Sequence, residues 1–244
     1  MSLEINALSG GYGQVPVLHD VTFSVPDGQV VGLIGLNGAG KSTTIKHIIG
    51  LLKPRSGSIK VGGVTLASDE NTYRQNLAYV PETPVLYPDL TLREHLELTM
   101  MAYGLDQKQA LADLEPMLEK FRLQNKLNWF PDNFSKGMNQ KVMIASAFMT
   151  HAKLFIIDEP FTGLDPLAIH DLLDLVRVKK AEGASVLMST HVLATAETAA
   201  DSFVLLGDGQ VKATGTLDEL RAKLHIADAS LDDIYMAMTG EEGR

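Results

Sequence analysis

The chain has 244 residues, enough to bury a substantial core, and contains no cysteine, which excludes disulfides, thiolate zinc sites and cysteine nucleophiles together. Its 30 acidic side chains against 21 basic ones give a formal charge of −9, an acidic balance that repels a phosphate backbone and disfavours broad nucleic-acid binding. Every stretch of about 18 residues holds a charged side chain, so no segment reads as a membrane span. The opening Met1–Gly13 lacks the basic and apolar regions of a signal peptide, and the expected address is the cytoplasm or its membrane face.

The opening segment reads as strands, with Val17 to Val25 alternating around Thr22 and Ser24 before a turn at Pro26–Gly28. Val30 to Ile34 is a short, mostly β-branched run of the kind buried on both faces of a parallel sheet. A glycine-rich turn and a helix from Ser42 to Leu52 follow, and Ser58 to Leu66, broken at Gly62 and Gly63, reads as a hairpin. Between Pro84 and Thr150 the periodicity becomes helical. Thr91 and Glu94 form a capping box for a helix through Met101, and further helices are expected over Gln107–Phe121 and Lys136–Met149. Alternation then resumes with a strand at Leu154–Ile157, a helix at Leu167–Lys180 and strands at Ser185–Ser189 and Phe203–Leu206. Thr216 with Glu219, and Ser230 with Asp233, signal two more helix starts. Strands alternating with helices predict a parallel α/β sheet into which the helical block is inserted.

Gly35, Leu36, Asn37, Gly38, Ala39, Gly40, Lys41 and Ser42, followed by Thr43, fit the phosphate-loop pattern between a predicted strand and a predicted helix. Glycines let successive N–H groups point at one anion, and the helix start adds its positive dipole end. Lys41 would then reach the β- and γ-phosphates, and the Ser42 hydroxyl would ligate magnesium. Leu154–Ile157 leads into Asp158 and Glu159 at a strand's carboxyl end, where doubly wound sheets bind ligands. Asp158 there would hold Mg²⁺, and Glu159 would polarise an attacking water as general base.

These segments together resemble the nucleotide-binding domain of ATP-binding-cassette proteins over nearly the whole chain. Phe134, Ser135, Lys136, Gly137 and Met138 stand where that family has its signature segment. Gly163, Leu164, Asp165 and Pro166 match its D-loop, His191 its switch histidine, and Tyr12 the aromatic under the adenine. Glu82 occupies the place of the family's glutamine at the entrance to the helical insertion. The resemblance implies an α/β P-loop NTPase of the ABC-ATPase fold: a RecA-like parallel-sheet core, an N-terminal antiparallel β subdomain and an inserted α-helical subdomain. One nucleotide-binding domain would fill 1–244, with 1–83 and 151–215 as catalytic core and β subdomain, 84–150 as helical signature subdomain and 216–244 as a helical tail.

It further implies ATP and Mg²⁺ as cofactors, with Ser42, Glu82 and Asp158 toward the metal, Glu159, His191 and Glu82 in catalysis, and the phosphate loop through Thr43 on the nucleotide. Ser135, Lys136, Gly137, Met138 and Asp165 would act in trans, across a head-to-tail homodimer. Lys136 would either add charge at the γ-phosphate or face solvent. The glutamate at position 82, the departures in the signature, and the runs Tyr79–Leu105, Trp129–Pro131 and Asp158–Ile169 resemble the ATPases of two-component bacterial exporters of the Ecs type. That resemblance implies a separate polytopic membrane subunit and a peripheral seat on the cytoplasmic face of the membrane.

Apolar Val85, Leu86 and Tyr87 would line a partner groove or fold back onto the insertion's own core. The competing class is a cassette ATPase acting on DNA or ribosomes. Such relatives carry long coiled-coil insertions, cysteine zinc modules or two cassettes, and the sequence has no heptad run, no cysteine and one phosphate loop. A GTPase would need an Asn-Lys-x-Asp guanine reader, which is not present.

Overall fold

The computed structural model describes residues 1–226 and 228–239. The final residues of the 216–244 segment lie outside them.

Strands β1 (Leu3–Tyr12), β2 (Val15–Val25) and β4 (Ser56–Val61) form an antiparallel sheet in the order β2-β1-β4. β1 escaped a period-2 reading because it carries a bulge. Leu3 and Ile5 face inward, Ala7 takes a positive φ of 47°, and the inward face resumes out of phase at Leu8. Across from the bulge, a Cβ on Gly57 would stand 2.3 Å from Ala7 O, so β4 needs glycine there. The expected hairpin at Ser58–Leu66 is only half formed. The chain turns at Gly62–Gly63, but Val64 alone returns to bridge Val61, because β4 spends its pairing on β1.

The second sheet has six strands in the order β5-β6-β7-β3-β8-β9. β3 (Val30–Ile34), β5 (Leu77–Val80), β6 (Leu154–Asp158), β7 (Ser185–Thr190) and β8 (Ser202–Gly207) run parallel; β9 (Gln210–Gly215) closes the edge antiparallel to β8. β6 shows why the central strands read as unbroken apolar runs. Leu154 and Ile156 pack with β1, β2 and α1 (Lys41–Ile48), while Phe155 and Ile157 pack with the helical block on the other face. Each side chain so buried contributes about 1.5–3 kcal/mol.

The helical block consists of α3 (Leu92–Tyr103), α4 (Gln107–Lys120) and α5 (Lys136–Phe148), joined to the core by α6 (Pro166–Ala181). Short α2 (Glu70–Gln75), capped by Asp69, precedes β5. The capping box on α3 is made as predicted: Thr91 N–H donates to Glu94 Oε2 at 2.7 Å, and Glu94 N–H donates to Thr91 Oγ1 at 3.3 Å. Helices α7 (Leu193–Ala199), α8 (Leu217–Leu224) and α9 (Leu231–Thr239) cover Ile34, Phe203 and Leu205 in a third cluster. Among the described residues no helix is long and apolar enough to cross a membrane.

Candidate functional site

A cleft of about 540 Å³ opens beyond the carboxyl ends of β3, β6 and β7, as ligand sites do in open α/β sheets. Its walls include Tyr12, Leu36, Asn37, Gly38, Gly40, Lys41, Ser42, Thr43, Glu82, Glu159 and His191, so most of the residues singled out in the sequence converge on one space.

The loop from Gly35 to Gly40 carries β3 into α1. Gly40 holds φ at 106° with Leu18 Cδ2 only 2.8 Å from where a Cβ would stand, so both conformation and packing require glycine. Lys41 Nζ donates to Gly35 O at 2.7 Å and to Leu36 O at 3.4 Å, closing the loop over its own side chain. The same ammonium lies 3.2 Å from Glu159 Oε1, and the two side chains are only 6% and 8% exposed. Glu159 Oε2 in turn accepts from His191 Nδ1 at 2.8 Å and from His191 N–H at 3.2 Å. An ionised carboxylate has only acceptors, so Nδ1 carries the hydrogen in this contact.

Glu159 sits at a φ of 46°, an uncommon region for a side chain of this size. Its N–H is held at 3.1 Å by both the carbonyl and the hydroxyl oxygen of Ser189, which over-determine the turn. The Ser189 hydroxyl also donates to Asp158 Oδ1, so one β7 residue orients both carboxylates. Ser189 was read from sequence only as the end of a strand. Gln140 was missed altogether: buried on α5, it donates to Pro81 O at 3.1 Å and anchors the helical block to the loop that carries Glu82.

Tyr12 stands half-exposed at the rim, its hydroxyl oxygen accepting from Lys46 Nζ at 3.0 Å. That bond, with a second to Thr43, draws the phenol below its ordinary range. Burial holds the Asp158 carboxyl above its ordinary range; the charges of Glu159 and Glu82 add to the rise, while the Ser189 hydroxyl and Lys41 oppose it. The folded chain therefore grips this proton more tightly than the unfolded chain, and stability is lost as pH rises past the unfolded pKa. Asp158→Asn removes that titration. At neutral pH in magnesium-free buffer the variant is expected to melt above the parent. Melting curves across pH check this, and equal midpoints at neutral pH would refute the assignment of burial cost to Asp158.

The donor chemistry fits magnesium. Asp158, Ser42 and Glu82 offer hard oxygens, and among the described residues no three His, Cys, Asp or Glu side chains cluster tightly enough to cage an ion alone. Magnesium is bound in that way, by one or two protein oxygens together with substrate phosphates.

Ser135, Lys136, Gly137, Met138 and Asp165 do not line the cleft. Ser135 caps α5 and accepts from Met138 N–H at 3.3 Å, while Asp165 caps α6 and accepts from Ala168 N–H at 2.8 Å. That backbone bond is the leading reason the Asp165 carboxyl is held below its ordinary range. The two caps are neighbours: a Cβ on Gly137 would lie 2.9 Å from Gly163 O, and exposed Lys136 runs its methylenes beside Gly163. Leu86 folds back onto the helical core, as one of the two sequence readings has it, whereas Val85 and Tyr87 remain 73% and 61% exposed.

The family model for ABC transporters matches residues 18–162, from β2 through the phosphate loop and both carboxylates. The chain belongs to the ABC transporter family. It is 57% identical over 240 residues to the ABC-type transporter ATP-binding protein EcsA of Bacillus subtilis (strain 168), covering 98% of this chain and 97% of that protein. It is 35% identical over 204 residues to the Nod factor export ATP-binding protein I of Burkholderia orbicola (strain AU 1054), covering 84% of this chain and 67% of that one. A solved structure of an ATP-binding subunit of an ABC transporter superposes with a TM-score of 0.95 at 57% identity, spanning 98% of this chain and 100% of the other. The fold is thus the ABC ATPase fold, with an antiparallel N-terminal sheet beside a parallel core. The phosphate loop, Glu82, Glu159 and His191 are the parts of the chain that meet in the cleft, while buried Asp158 does not line it.

Proposed function

We propose that the cassette is the ATP-hydrolysing engine of a two-component exporter, working as a homodimer on the cytoplasmic face of a membrane subunit encoded as a separate chain. The observation that carries the reading is the convergence of Lys41, Glu159 and His191, by contacts of 3.2 and 2.8 Å, at the mouth of the phosphate loop. A cation for phosphate, a carboxylate for water and an imidazole for the γ-phosphate are what phosphoryl transfer to water requires, since its catalysis is mostly positioning and electrostatics.

In this reading the loop N–H groups from Gly38 to Thr43 cradle the phosphates and Tyr12 stacks on the adenine. Ser42, Asp158 and Glu82 hold magnesium, which when bound neutralises charge on the β- and γ-oxygens. Glu159 takes a proton from the attacking water, and His191 reports the γ-phosphate. Ser135, Lys136, Gly137, Met138 and Asp165 complete the site of a second copy. Their position outside this chain's own cleft supports that assignment. Residues 84–150 act as the signature subdomain, 1–83 with 151–215 as the catalytic part and 216–244 as the tail. Val85 and Tyr87 supply apolar contacts to the membrane subunit. Export rather than import follows the likeness to the Nod factor export protein.

The test is a pull-down of the tagged full chain from native membranes in mild detergent, with and without ATP. Recovery of a polytopic membrane protein lacking its own ATPase motifs is expected. Recovery of ribosomal or DNA-repair proteins alone, with the cassette in the soluble fraction, would overturn the transport reading.

A further inference from the structure

The cassette's last described helix reaches the phosphate loop. Tyr235, in the middle of α9, is 3% exposed, and its hydroxyl oxygen accepts from Leu36 N–H at 2.9 Å while its own hydrogen is donated to Leu206 O at 3.1 Å. One phenol thus bridges the start of the phosphate loop and the carboxyl end of β8. Leu36 governs the shape of the loop: its carbonyl accepts from Ala39 N–H at 3.1 Å and from Lys41 Nζ at 3.4 Å. The adjacent residue is pinned as well, since a Cβ on Gly35 would lie 2.8 Å from both Leu206 O and Ala39 Cβ.

The helix that presents the tyrosine is itself anchored next to the switch segment. Leu231 N–H donates to Glu197 Oε2 at 2.9 Å, on α7, the helix that follows His191. Leu231, Ile234 and Tyr235 complete the apolar cluster with Ile34, Phe203 and Leu205 beneath.

We propose that Tyr235 is a positioning residue for the nucleotide site, and that α9 is a strut joining the phosphate loop to the segment behind the switch histidine. Its role is to hold Leu36, and through it the loop N–H groups, in the one arrangement that fits a phosphate. A preorganised anion site loses affinity when its donors are free to rearrange. The inference rests on reading this loop as the ATP site.

Tyr235→Phe keeps the ring and removes only the bridge, leaving Leu36 N–H and Leu206 C=O without their shared partner. The expected result is nucleotide binding about tenfold weaker than in the parent, equivalent to about 1.4 kcal/mol. It would be read by titrating the full chain with a fluorescent ATP analogue, and KM for ATP should rise in step while kcat stays within about twofold. Ile234→Val is the matched control: it trims one methylene from the same buried helix face, lowers stability by a comparable amount, and should leave nucleotide affinity at the parental value.

Affinity of Tyr235→Phe within about twofold of the parent would overturn the proposal. So would equal weakening in Ile234→Val, which would reduce the helix to ordinary packing. A parent chain that binds no nucleotide would instead fell the ATP-site reading beneath it, a failure separable from the other two because it appears before any variant is made.

Discussion

Glu159→Gln is expected to bind ATP normally, lose at least about a hundredfold in turnover, and accumulate as an ATP-dependent dimer. General bases contribute roughly 10²–10⁴ to rate, and the amide keeps the size of the carboxylate while losing the capacity to take a proton. The backbone that positions the side chain is untouched, because its two bonds to Ser189 come from the Glu159 N–H. Steady-state phosphate release and size-exclusion chromatography with ATP check both halves. Undiminished hydrolysis would remove Glu159 as the base.

Ser135→Arg is expected to leave ATP binding to the single chain intact and to reduce hydrolysis to background. Ser135 is absent from the cleft lining, so a bulky side chain there cannot block this chain's own nucleotide. It obstructs the seam through which the serine would meet a second copy's phosphate. The lost cap on α5 costs about 1 kcal/mol, too little to unfold a domain of this size, and a melting curve separates that effect from catalysis. Mixing Glu159→Gln with Ser135→Arg should restore turnover to two inactive proteins, since a mixed dimer holds one site with its base, from one chain, and its serine, from the other. Normal turnover by Ser135→Arg alone, or no rescue on mixing, would sink the composite site.

Where the sequence failed as a guide, the cause was contact across distance. Parallel strands β3, β6, β7 and β8 and the three inserted helices were readable because their periodicities are local, and the capping boxes at Thr91 and Thr216 sit beside the helices they start. β1 lies in the opening segment read as strands, but the bulge at Ala7 shifts its alternation by one residue; β5 and α2 are too short to build a pattern, and β9 holds only Val211 and Ala213 as apolar residues. In the site, Lys41, Asp158 and Glu159 stood out because glycine spacing and an acidic strand end announce their chemistry. Ser189, Gln140 and Tyr235 did not, since a serine in a strand, a glutamine in a helix and a tyrosine near the terminus carry no such signal. Their roles exist only after residues 30 to 199 positions apart have been brought together.

An anion arriving at the phosphate loop meets a lysine already engaged with a carboxylate. Its entry would therefore be a swap of counter-ions, in which the γ-phosphate of the proposed function takes over the ammonium that Glu159 gives up. The displaced group is the very one that, in the function proposed, collects a proton from water. On that proposal recognition and arming become a single event, and the lysine acts as a safety catch: the base is released to work only by the molecule it is meant to attack.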